Sequence, residues 1–229
     1  MNYIIADSRA ITNYDSFKES KVSSHHLFFS INDKYDLNLS YLKNIDPKYI
    51  FFPHWSFIIP EEVYSNFNCV IFHMTDLPFG RGGSPLQNLI KRKVKHTKIS
   101  AIKCVKELDA GPIYLKENLA LSGSAQEIYK RASRIIVEMI KQIVASNIQP
   151  TEQVGEVVRF QRRKPHQSEI SGISNLEDLY DHIRMLDADG YPLAFINRER
   201  INYQFSKAKL TDDGVLHAEV EFRVINDSE

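Results

Sequence analysis

Residues 69–89, CVIFHMTDLPFGRGGSPLQNL, set the reading of this chain. Val70-Ile71-Phe72 is an apolar run of the kind that forms a buried strand. It ends at the polar residues His73, Thr75 and Asp76, and Pro78, Gly80, Gly82, Gly83 and Pro85 follow closely. Such a segment neither continues a ladder nor starts a long helix before Pro85. The spacing therefore predicts a shaped loop between a strand and a helix that begins near Ser84. Open α/β sheets hold their sites at the carboxyl ends of buried strands. A surface connection with a capping histidine is the plainer reading of the same residues.

Working outward, Asn2–Ala6 reads as a short apolar strand, and residues 10–22 are polar and weakly periodic. Leu27-Phe28-Phe29 is strand-like, Leu37, Leu39, Leu42 and Ile45 suggest a short helix, and Tyr49–Phe52 a further strand that ends at Pro53-His54-Trp55-Ser56. Pro60-Glu61-Glu62 opens a helix with Pro and acids in its first turn, as capping favours. The repeated unit is strand, polar tip, short helix, which predicts an α/β protein with a mostly parallel sheet and helical crossovers. Two strand tips carry histidine, His54 and His73, each with a hydroxyl residue nearby, Ser56 and Thr75. A packed histidine beside Trp55 explains His54 equally well. The first turn, Asp7-Ser8-Arg9, lacks the Gly-rich fingerprint, which argues against an NAD or FAD site of the usual kind.

Downstream, Thr97–Val105 alternates as a strand, and Ile113–Leu115 is another. Between them Asp109 sits in Asp-Ala-Gly-Pro, where turn chemistry alone accounts for it. Ser124 with Glu127 reads as a capping box for a long helix over about 125–146. Gln149–Gly155 is a connector, which sets the expected domains at 1–156 and 157–229. The second opens with a basic cluster, Arg159–His166, either a solvated face or a phosphate clamp. A helix over 175–186 and three antiparallel strands near 194–196, 201–205 and 216–222 predict a small α+β lobe.

The 229 residues carry no formal net charge, which argues against a polyanion as main partner. Cys69 and Cys104 sit in apolar runs as buried thiols, and no metal-ligand spacing is present. The N-terminus does not read as a signal peptide and no apolar run reaches membrane-spanning length, so the expected setting is cytoplasmic.

His-Met-Thr-Asp-Leu-Pro-Phe-Gly-Arg-Gly-Gly-Ser-Pro at 73–85 resembles the His-x-Ser-x-Leu-Pro-x-x-Arg-Gly-x-x-Pro motif of folate-dependent formyltransferases. Leu108-Asp109-Ala110-Gly111-Pro112 resembles that family's Leu-Asp-x-Gly motif. The tail, with Arg162-Arg163-Lys164-Pro165, Ile183–Asp187 and Gly190-Tyr191-Pro192, looks like the sugar-nucleotide branch. The resemblance implies a Rossmann-like sheet and an enzyme that moves formyl from N10-formyltetrahydrofolate to an amine. It makes His73 and Asp109 catalytic. It makes Trp55, Ser56, Phe57 and Ile58 a folate-side loop, with Lys106, Leu108 and Asp109 near the pterin and Arg81 and Gly82 shaping the site. One position departs: Ile71 stands where the family usually has an oxyanion-holding asparagine, so that His54, another polar group or a larger share for His73 must fill the role, with His54 the candidate. Asn66 and Asn68 are poorly placed for that role.

The expected acceptor is a nucleotide-linked 4-amino-4,6-dideoxy sugar for surface glycan synthesis, with Thr75, Arg162, Arg163, Lys164, Arg184 and Tyr191 binding it, no nucleic-acid or membrane partner, and a possible homodimer. The alternatives are an aminoacyl group on a peptide-synthetase carrier protein, methionyl-tRNA, or a non-enzymatic binding module.

Overall fold

The structure, a computed structural model, describes residues 1–8 and 26–225; the polar stretch 10–22 lies outside the described residues. Strands β1 (Asn2–Asp7) and β2 (Leu27–Ile31) are followed by helix α1 (Leu39–Ile45), strand β3 (Pro47–His54), helix α2 (Glu61–Tyr64) and strand β4 (Cys69–His73). Next come β5 (Phe79–Gly82), α3 (Pro85–Lys91), β6 (His96–Lys103), β7 (Ile113–Ala120) and the long helix α4 (Ala125–Ser146). The chain continues through β8 (Val158–Phe160), α5 (Leu176–Arg184), β9 (Ala194–Arg198), β10 (Ile201–Leu210) and β11 (Leu216–Val224).

Contacts divide the chain into two compact units. The first comprises Met1–Gly82, Thr97–Leu119 and Lys130–Arg159, and the second Gly83–His96, Ala120–Tyr129 and Phe160–Glu229.

The main sheet has the strand order β2-β1-β3-β4-β6-β7. β1 pairs in parallel with β2 and β3, and β3 with β4, whereas β4 and β6 are antiparallel. This is the expected α/β fold with a mostly parallel sheet, made mixed by β6. Strands buried on both faces are continuously apolar, and Tyr3, Ile4, Ile5 and Ala6 have no exposed surface. On one face Ile4, Ala6, Ile50, Phe52 and Cys69 pack with Leu42 and Ile45 of α1 and Val63 of α2. Lys130–Ser146 of α4 buries Ala132, Ile136, Met139, Ile140 and Ile143. The chain leaves β1 toward β2 on one side and returns to β3 on the other, which places a topological switch point at Asp7 and His54.

Residues 79–82 correct the simple loop reading. They form β5, paired with β8 in a two-stranded ribbon. Gly80 and Gly82 take φ of 80° and 111°, which turns the backbone on both sides of Arg81 without a Cβ clash. The ladder partner is remote in sequence, so turn chemistry alone gave no sign of it. Helix α3 starts as expected, with Ser84 at its N-cap and Pro85 in the first turn.

In the second unit, β9, β10 and β11 form an antiparallel sheet on which α5 packs. Ser124 and Glu127 close a reciprocal capping box: Ser124 N–H donates to Glu127 Oε2 at 2.8 Å and Glu127 N–H to Ser124 Oγ at 3.3 Å. Among the described residues no helix is long and apolar enough to cross a membrane.

Candidate active site

His73 is the last residue of β4, where the apolar run stops and the chain turns. The residue is 7% exposed. Nε2 lies 2.8 Å from Gly80 O. A carbonyl only accepts, so Nε2 carries the proton and donates. The other ring nitrogen, Nδ1, faces Asp109 Oδ2 at 3.6 Å. That nitrogen is left to take up a proton, and doing so converts the contact into a charge-assisted one.

Asp109 sits in the turn after β6 with φ of 54°. Only a short polar side chain or glycine visits this left-handed region readily. Gly111, two residues on, allows a close approach: a Cβ there would stand 1.8 Å from Lys103 O. The turn brings Asp109 Oδ2 to within 2.8 Å of Gly82 N–H, which donates to it. The Asp109 charge is also felt by Cys104, whose thiol is pushed up to about 12 by burial first and by Asp109 second. The acid that turn chemistry alone explains is thus beside the histidine.

Two further polar groups hold the loops. Ser100 Oγ donates to Thr75 O at 2.7 Å and accepts from Leu77 N–H at 3.3 Å. Gln153, in what reads as a plain connector, donates to Asp109 O at 2.8 Å and Gly111 O at 2.9 Å. Its Oε1 accepts from Arg81 Nε and Nη2 at 3.1 and 2.8 Å. The sequence offers no signal for Gln153, because its partners are far away along the chain.

Thr75 is fully buried with Oγ1 3.4 Å from Gly80 O, so it braces the loop. Arg81 is buried and also pairs with Glu107 at 3.5 Å. Trp55 packs edge-on against Phe52 and Phe57, and its indole Nε1 is buried with no hydrogen-bond partner. Ser56, Phe57, Ile58, Lys106 and Leu108 are exposed, Ile58 at 93%. His54 Nε2 lies 2.8 Å from Ser133 Oγ of α4, and the pairing of β1 with β3 slips between Ile5 and Asp7, just where His54 is aligned. Ile71 packs against the apolar cluster. Asn66 Nδ2 donates to Glu62 O and Asn68 Nδ2 to Lys48 O, away from any oxyanion role at His73. Among the described residues, no group of His, Cys, Asp or Glu is arranged to hold a metal ion.

In the second unit the basic residues are largely engaged. Arg184 donates to Asp181, Leu121 O and Gly123 O at 2.7–2.9 Å. Arg163 donates to Gln167 O and lies 3.7 Å from Met185 Sδ, and burial pulls its pKa below the usual arginine value. Arg162 and Lys164 are exposed, and Tyr191 is half-buried.

A structure described as the methionyl-tRNA formyltransferase from Clostridium thermocellum is 49% identical, covers 98% of this chain and 99% of that chain, and superposes with a TM-score of 0.94. The chain belongs to the methionyl-tRNA formyltransferase family. A family model described as "Methionyl-tRNA formyltransferase, C-terminal domain" matches residues 165–223. The methionyl-tRNA formyltransferase of Wolinella succinogenes is 26% identical over 146 residues, 61% of this chain and 47% of that protein. The chain spans about half the length of the curated relatives of this formyltransferase family that it matches. HypX from Aquifex aeolicus, in a complex with tetrahydrofolic acid, shares the fold at 15% identity and a TM-score of 0.71, over 90% of this chain and 37% of that chain.

These findings correct the placement in the sugar-nucleotide branch, and with it the expected aminosugar acceptor, the role in glycan synthesis and the exclusion of nucleic acid. The physical reason lies in the tail. Its sugar-like motif residues are built into the second unit: Arg163 and Arg184 bond protein acceptors, Met185 and Leu186 are buried, and Asp187 receives Lys207 N–H at 2.8 Å. Net charge also misleads, since a nucleic-acid partner answers to local charge rather than the sum over the chain.

Proposed function

We propose that this chain transfers a formyl group from N10-formyltetrahydrofolate to the amine of methionyl-tRNA. The observation that carries the reading is the juxtaposition of His73 Nδ1 and Asp109 Oδ2 at 3.6 Å, in a chain whose 49% identical relative is described as acting on methionyl-tRNA. Support for the folate donor comes from the buried, unpartnered Trp55 Nε1 beside exposed Phe57 and Ile58. An apolar lip with one free donor fits a flat heteroaromatic ring that carries acceptors. Leu108, 62% exposed next to Asp109, would add apolar contact.

When bound, N10-formyltetrahydrofolate supplies the formyl carbon, which exchanges its bond to the donor nitrogen for one to the acceptor nitrogen. One proton must leave the attacking amine, and the departing donor nitrogen must gain one, so the transfer releases no net proton. His73 Nδ1 is the buried nitrogen available to take the amine proton, while Nε2–H stays on Gly80 O. Asp109 stabilises the imidazolium that results, and Gly82 N–H holds the carboxylate in place. Exposed Arg162 and Lys164 are the candidates for phosphate contacts from the tRNA.

The test is formyl transfer from N10-formyltetrahydrofolate to methionyl-tRNA, run beside uncharged tRNA and carrier-bound amino acids. Formyl-methionyl-tRNA is the expected product. No transfer to methionyl-tRNA by folded protein, with transfer to a carrier-bound amino acid instead, overturns the acceptor.

A further inference from the structure

We infer that Gln153 is a positioning residue that sets the separation of His73 and Asp109; this rests on the catalytic reading of that pair. Its side-chain amide is fully used. The two N–H groups go to Asp109 O and Gly111 O, on either side of Ala110. The carbonyl oxygen takes both Nε and Nη2 of Arg81. Arg81 lies between Gly80, whose carbonyl receives His73 Nε2–H, and Gly82, whose N–H holds Asp109 Oδ2. One amide therefore ties the loop that orients the histidine to the turn that carries the aspartate.

The arrangement needs such a tie. Asp109 has a left-handed backbone, which a non-glycine residue keeps only where its surroundings hold it there. The gap of 3.6 Å between Nδ1 and Oδ2 lies outside hydrogen-bond length, so no direct bond holds the pair at rest. Gln153 is itself anchored, because Thr151 exchanges backbone hydrogen bonds with Ile113 at 2.7 and 2.9 Å. Only an amide supplies both halves of this clamp. A glutamate keeps the oxygens for Arg81 but loses both donors and faces two carbonyls. A methionine loses both halves.

The experiment compares Gln153→Glu and Gln153→Met with the parent in kinetics, thermal melting and histidine ring ¹⁵N NMR of ligand-free protein at fixed pH. The His73 signals are assigned by their loss in His73→Gln. For Gln153→Glu the expected result is a fall in kcat of about a hundredfold with KM for the formyl donor nearly unchanged. The His73 Nδ1 resonance shifts and the melting temperature falls by a few degrees, since two carbonyls lose their donors. Gln153→Met shifts the same resonance and melts earlier still, since buried Arg81 also loses the Gln153 acceptor and keeps only Glu107. If Gln153→Glu keeps parental kcat and an unshifted His73 spectrum, the residue only satisfies Arg81 and the inference is overturned. The NMR arm needs no turnover, so an inactive parent would break the functional reading while still testing the clamp.

Discussion

His73 and Asp109 in the first unit and Arg163 and Arg184 in the second are all removed from bulk solvent to some degree, yet they use their hydrogen bonds differently. His73 gives one ring nitrogen to Gly80 O and turns the other toward Asp109. Asp109 is held by a single backbone N–H from Gly82 through the oxygen that faces the imidazole. Arg184 is satisfied by Asp181 and two backbone carbonyls, and Arg163 is engaged by Gln167 O and Met185 Sδ. A held but incompletely satisfied polar group can exchange a proton or meet a substrate, whereas a fully satisfied one supports the fold. The same contrast separates exposed Arg162 and Lys164 from their neighbour Arg163.

The largest effect that sharpens this contrast is expected at Asp109. Asp109→Asn keeps an acceptor for Gly82 N–H but removes the charge facing Nδ1, so turnover falls by about a thousandfold with folate affinity largely intact. Steady-state kinetics and donor binding on folded protein check both halves, and parental turnover would remove Asp109 from the chemistry.

In the second unit the expected loss is one of stability. Arg184→Met strips the donors from Leu121 O and Gly123 O and costs about 3 kcal/mol in urea unfolding. An unchanged midpoint would mean that this guanidinium does not hold the unit together.

His54 stands between the two cases. As the candidate for the oxyanion role vacated at Ile71, with Nε2 held by Ser133, His54→Ala is expected to lower turnover by about tenfold without weakening donor binding. Turnover and binding at parental values would leave it as a packing residue.

The smallest effect belongs to Arg162. Arg162→Ala is expected to weaken tRNA binding several-fold, to flatten the logarithmic salt dependence by about one unit, and to leave unfolding unchanged. A salt dependence identical to the parent would take Arg162 out of the phosphate contacts.

Much of the first unit was legible because its signals are local. Alternation, caps and β-branched runs marked β1, β3, β4 and α4 near their observed positions. The motif around His73 and the turn at Asp109 could be paired only through a family resemblance, since 35 residues separate them and nothing local links an acid in a turn to a histidine at a strand end. The tail read less faithfully. Arg163, Arg184 and Asp187 matched a sugar-nucleotide pattern by residue type, but residue type does not say whether a guanidinium points at a ligand or at a carbonyl of its own chain.

By itself, then, the sequence determined the α/β class, the strand ends that carry His73 and His54, and the glycine and proline positions that shape the loop after β4. These depend on period, propensity and steric limits, which act over a few residues. Only the tertiary structure decided that β5 pairs with β8, that Gln153 clamps the Asp109 turn to Arg81, and which arginines are engaged. Hydrogen bonds between distant segments have no counterpart in local pattern, because each exists only after the intervening chain has folded around it.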